Sequence, residues 1–117
     1  MSSGTVITLL TAISFELLSR CDPSESEPHT PVLVGIEQAD GALRVRWHTL
    51  LANCAVVEAE RRHGSEAFVS AFTAPGFASS KVDENATGDA DYIYRLRCRK
   101  GDSYSLYSDE MSGNPAR

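Results

Sequence analysis

The stretch DYIYRLRCRKGDSYSLYSDEM, residues 91–111, alternates in character along its first half. Tyr92, Tyr94, Leu96 and Cys98 fall on one side of an extended chain, and Ile93, Arg95, Arg97 and Arg99 on the other. That period of two is what a half-buried strand requires. Lys100-Gly101-Asp102-Ser103 then ends the run with a Gly-Asp pair suited to a tight hairpin, because glycine supplies the positive φ such turns need. A last strand is expected through YSLYSDEM.

The same period recurs upstream. PVLVGIE is a short β-rich run, ADGA at 39–42 supplies an Asp-Gly turn, and LRVRWH sets Leu43, Val45 and Trp47 against Arg44, Arg46 and His48. CAVVEAERR at 54–62 sets Ala55, Val57 and Ala59 against Val56, Glu58, Glu60 and Arg62. His63-Gly64-Ser65 turns the chain into AFVSAFT, another strand is expected around 78–83, and NATGD reads as a loop. Seven short alternating strands, with a tryptophan early and a tyrosine late, argue for an antiparallel sandwich.

These residues carry a family resemblance. LRVRW resembles the second strand of a fibronectin type III domain with its core tryptophan, Trp47. YIYRLRC resembles the Y-x-x-x-V-x-A sixth strand, with Tyr92 in the tyrosine-corner place, Leu96 for the valine and Cys98 for the alanine. SLYSDEM is similar to the closing S-x-x-S-x-x-V, with Ser105, Ser108 and Met111 in those places. The resemblance covers roughly residues 31–112 and departs at Ala55, Val56 and Val57, where the family usually has an aromatic. It implies an all-β, seven-stranded antiparallel immunoglobulin-like (fibronectin type III) sandwich over 32–112, followed by a tail at 113–117. The family layout makes the third and sixth strands neighbours, placing Glu58 and Glu60 across from Arg95 and Arg97. A ladder of ion pairs is therefore expected there, in preference to an exposed basic binding face formed by Arg95, Arg97, Arg99, Lys100 and Asp102.

Residues 1–21 have a different character. Over 5–20, Val6, Leu9, Leu10, Ile13 and Leu17 recur at spacings of three and four, which predicts a helix ending before Pro23. Sixteen residues at the helical rise span roughly 24 Å, short of the ~30 Å hydrocarbon core of a bilayer. A membrane span is not expected. No Lys or Arg precedes the apolar run as a secretory signal would ask. LSRC at 18–21 resembles a lipoprotein cleavage site, with Arg20 departing from the residue expected before the cysteine. The preferred reading is a retained N-terminal helix that docks into a neighbouring subunit through Val6, Leu9, Leu10, Ile13 and Leu17, with a helix folded back on its own domain as the alternative. Residues 22–31, with Pro23, Pro28 and Pro31 among acids and serines, read as a semi-rigid linker.

Composition excludes some partners. The 117 residues carry a net charge of −5, so the basic footprint that nucleic-acid binding draws on is missing. Cys21, Cys54 and Cys98 lack metal-ligand spacing, and His29, His48 and His63 stand too far apart for a helical pair. No catalytic, cofactor-binding or metal-ligating residue is expected. The alternation over 54–62 turns Cys54 away from the side that Cys98 faces, so free thiols are favoured, with one bridge as the alternative. Asn85-Ala86-Thr87 is a glycosylation sequon on an expected loop. Phe72 and Phe77 read as core or loop plugs.

The resulting expectation is a non-enzymatic structural or accessory protein of a large assembly, such as a phage-like virion head or tail. Its protein partners would be neighbouring subunits engaged by the N-terminal helix, and a homo-oligomer fits the same helix. The alternative is a secreted or cell-surface adhesion module for a protein or glycan, with residues 1–21 as an atypical export signal and a Cys54–Cys98 bridge.

Overall fold

Asp40 and Gly41 both take a positive φ, 52° and 81°. Two such residues in succession make the turn whose twist matches that of the strands it joins. This turn links β1, Val32–Ala39, to β2, Ala42–His48, in an antiparallel hairpin that runs from Val32 opposite His48 to Ala39 opposite Ala42. The computed structural model describes residues 28–49 and 53–117. The helix expected over 5–20, with its docking residues Val6, Leu9, Leu10, Ile13 and Leu17, and most of the linker lie outside the described residues.

The remaining strands are β3 (Val56–His63), β4 (Val69–Pro75), β5 (Ser80–Asp83), β6 (Tyr92–Lys100), β7 (Ser103–Tyr104) and β8 (Met111–Gly113). They form two antiparallel sheets, one in the order β1-β2-β5 and one in the order β4-β3-β6-β7, with β8 also paired to β6. The described residues hold no helix. Leu43, Val45 and Trp47 from the first sheet meet Val57, Ala59, Tyr94, Leu96 and Cys98 from the second in one buried cluster. The inward faces expected from period two are thus the ones that pack, and burial of their apolar surface is the main source of stability.

Among the described residues eight strands stand where seven were expected, because the closing stretch splits into β7 and β8. Between them the chain keeps to β6 by another means. Ser105 and Ser108 donate backbone N–H groups to the carbonyls of Cys98 and Leu96, at 2.9 and 2.7 Å. In return, Cys98 N–H and Leu96 N–H donate to the hydroxyl oxygens of Ser105 and Ser108, both at 2.9 Å. Three residues of this segment thus span two of β6, and the two serine side chains bridge the mismatch.

Lys81, on β5 at the edge of the first sheet, shares a face with inward-pointing Val45 and extends across the gap toward β4 of the second. Its ammonium donates to the Thr73 carbonyl at 3.1 Å and lies 5.8 Å over the Phe72 ring. An inward charge on an edge strand discourages pairing with other chains.

Candidate functional site

The broad outer face of β3 and β6 gathers the arginines singled out in the sequence. Glu58 stands opposite Arg97 and Glu60 opposite Arg95, as the family layout implied. Arg95 Nη2 lies 2.7 Å from Glu60 Oε1, Arg97 Nε 2.9 Å from Glu58 Oε1, and Arg99 Nε 2.8 Å from Glu58 Oε2. Aromatic rings fill the spaces between the cations. The Arg95 guanidinium sits 4.0 Å from the Phe68 centroid and 3.8 Å from that of Tyr107, while Arg97 is 4.0 Å from Tyr104 and 5.0 Å from Tyr107. The Tyr107 hydroxyl donates to Glu60 Oε2 at 3.0 Å. Each guanidinium therefore already has a carboxylate, and two also have π faces. Tyr104, Tyr107 and Phe68 were not assigned to this face from sequence. The available signal was the three-residue spacing of the two tyrosines, which follows the stride of Ser105 and Ser108.

Burial alone would raise the Glu58 carboxyl, but hydrogen bonds from Arg99 and Arg97 outweigh it and hold the group below the ordinary glutamate value of 4.5. A depressed carboxylate stabilises the fold above its unfolded pKa and loses that contribution as pH falls through the folded one. Glu58→Gln is therefore expected to cost roughly 1 kcal/mol near neutral pH, a difference that shrinks as pH drops below 4.5. Denaturant midpoints of both proteins between pH 3 and 7 check this.

Where β3 begins and β6 ends, the structure corrects the sequence reading. Cys54 and Cys98 form a disulfide, with Cα atoms 5.4 Å apart. The alternation that turned Cys54 away was counted backwards from Val57 through Ala55. Ala55 lies in a bend just outside β3 and is exposed, so the count does not extend to Cys54. Nearby loops are pinned as well. Gly76 N–H donates to the Ala55 carbonyl at 2.9 Å, and Thr49 Oγ1 donates to the Gly76 carbonyl at 3.2 Å. A Cβ on Gly76 would stand 1.7 Å from the Cys54 carbonyl oxygen. Gly76→Ala must therefore displace backbone, and we expect a loss of about 2–3 kcal/mol by chemical denaturation.

Phe77, next in the chain, is 91% exposed, not the plug expected. Phe72 does pack inward, 6.0 Å from the Trp47 ring. Leu106 is exposed at the same end, and Lys100 Nζ donates to Asn53 Oδ1 at 2.7 Å. Lys100 and Ser103 pair across the Gly101–Asp102 turn, which leaves Asp102 exposed at the tip.

The opposite end hides a cluster that sequence reasoning missed. Asp83, 3% exposed, accepts hydrogen bonds from Arg61 at 2.5 Å and from the Tyr94 hydroxyl at 2.7 Å. Burial first, then the Asp83 carboxylate, push the Tyr94 hydroxyl well above the usual tyrosine range, so it remains a donor at physiological pH. The three groups tie β5 of one sheet to β3 and β6 of the other. Tyr92, in the tyrosine-corner place, donates to the Thr87 carbonyl five residues upstream, at 2.9 Å. Among the described residues no three His, Cys, Asp or Glu side chains converge as a metal site would need.

No family model matches this chain, and no curated protein matches it. Solved structures do. A β-1,2-glucanase from Parabacteroides distasonis is similar over 76% of this chain and 13% of its own, with a TM-score of 0.68 and 12% identity. Titin kinase with its flanking domains matches over 75% of this chain and 17% of its own (TM-score 0.60, 14% identity). A structure described as a myokine matches over 75% of this chain and 97% of its own, with a TM-score of 0.61 and 14% identity. At such identities the likeness shows the fold alone: an all-β chain of two antiparallel sheets.

Proposed function

We propose that this chain is a non-enzymatic binding module of the fibronectin type III kind that works in an oxidising compartment, secreted or on a cell surface. The Cys54–Cys98 bridge carries the reading, since disulfides persist outside the reducing cytosol. Strand orders β1-β2-β5 and β4-β3-β6-β7, and the hydrogen bond of Tyr92 to Thr87, support the family. The arginine face is occupied by its own carboxylates and rings. Attention moves to the disulfide end, where pinned loops present Phe77 and Leu106, because large apolar side chains on rigid elements make good interface anchors. The assembly-subunit reading rests on residues 5–20, outside the described residues, and the bridge favours the secreted or cell-surface alternative.

Density-gradient and compartment fractionation of native material, with the chain's mass read in each fraction, tests the proposal. Recovery outside the cytoplasm, free or with the cell envelope, is the expected result. Recovery of all the chain in the cytosol overturns it, and co-migration with a much larger particle restores the assembly reading.

A further inference from the structure

Asn85-Ala86-Thr87 is the single Asn-x-Ser/Thr triplet in the 117 residues: Asn53 is followed by Cys54-Ala55, and Asn114 by Pro115. The structure asks nothing of its reactive side chain. Asn85 and Thr87 are exposed on the turn after β5, and among the described residues neither side chain makes a hydrogen bond or ion pair. The backbone around them is held instead. Asn85 N–H donates to Asp83 Oδ1 at 3.3 Å, Ala86 N–H donates to the Asp83 carbonyl at 3.2 Å, and the Thr87 carbonyl accepts from Tyr92. Ala86 between them is fully buried, which turns its two neighbours outward. A shallow recess of about 360 Å³ lined by Asp40, Arg44, Glu84 and Thr87 leaves room beside the turn for a first sugar. The site lies at the end of the sheets opposite the disulfide, so a bulky group there leaves Phe77 and Leu106 uncovered.

We propose that Asn85 is a site of N-linked glycosylation. The inference rests on the extracytoplasmic reading above, because the transfer takes place during export. The donor class is a lipid-linked oligosaccharyl pyrophosphate. Asn85 Nδ2 forms a bond to the anomeric carbon of the first sugar, the bond from that carbon to the pyrophosphate oxygen breaks, the amide loses one proton, and the lipid pyrophosphate leaves. Thr87 supplies the hydroxyl that the transferring enzyme recognises. Where that enzyme also requires an acid two positions before the asparagine, as bacterial versions do, Asp83 fills the place. Asp83 is buried by Arg61 and Tyr94 in the folded chain, so recognition precedes closure of the sheets and the finished turn then displays the product.

Native material digested after lysine and arginine releases Val82–Arg95, which contains the site. We expect this peptide to carry an added oligosaccharide mass with sugar fragment ions on collision. A Thr87→Val chain expressed in the same host should lose at least nine-tenths of it while keeping its melting temperature. Quantitative recovery of Val82–Arg95 at its unmodified mass overturns the proposal. Thiol labelling of the same sample separates the two readings: an unmodified peptide with Cys54 and Cys98 bridged leaves the compartment intact and removes the glycan, whereas free thiols remove both.

Discussion

Reduction of Cys54–Cys98 is expected to lower stability by about 4 kcal/mol, the loop-closure value for the sequence separation of 44 residues. The magnitude follows from the unfolded chain, which gains conformations when the bridge opens, while the folded chain keeps its hydrogen bonds between β3 and β6. Guanidinium unfolding with and without a thiol reductant measures it, and a Cys54→Ala/Cys98→Ala chain separates loss of the bond from any effect of the reductant. The denaturant slope should rise in the reduced protein, because an uncrosslinked unfolded chain exposes more surface. A midpoint that does not move would mean the bond contributes little to holding the sheet. For a domain whose whole stability lies in the usual range of about 5–15 kcal/mol, the predicted loss is large.

The second large effect belongs to Asp83. Asp83→Asn should cost about 3–5 kcal/mol, because it leaves the Arg61 guanidinium, only 16% exposed, without a counter-charge. Tyr94→Phe removes only a donor and should cost about 1–3 kcal/mol. A chain carrying Arg61→Met, Asp83→Leu and Tyr94→Phe together should lose less than Asp83→Asn alone, since it buries no isolated charge. If the triple variant is the worse of the two, the cluster stabilises the protein by its connections between sheets and not merely by neutralising Arg61. Urea midpoints of the three proteins distinguish these outcomes.

Both effects come from residues whose roles were hard to read from sequence, and the reasons are physical. Alternation reported the two inner faces well, because Leu43, Val45 and Trp47 on one sheet and Tyr94, Leu96 and Cys98 on the other sit inside regular strands. It also placed Glu58 and Glu60 against Arg97 and Arg95 once the family layout set the neighbours. It failed at Cys54, where the bend at Ala55 breaks the period. Asp83 was not recognised because an acid before a loop resembles any turn residue. Its burial depends on Arg61, 22 positions away, and on Tyr94, 11 positions away. The ring partners of Arg95 and Arg97 were missed for a related reason: Tyr104 and Tyr107 follow a stride of three that no regular strand has. Phe77 was read as a core or loop plug on its apolarity alone, yet it stands exposed beside the pinned turn.

The disulfide that ties the start of β3 to β6 within the second sheet, and the compartment that bond implies, are tested most directly by the thiols of the native chain. Protein taken from its source into denaturant with an alkylating reagent, without prior reduction, should show Cys54 and Cys98 unlabelled and joined in one crosslinked peptide pair. Both residues fully alkylated would contradict the account, leaving two free cysteines in the core and no reason to place the module in an oxidising compartment.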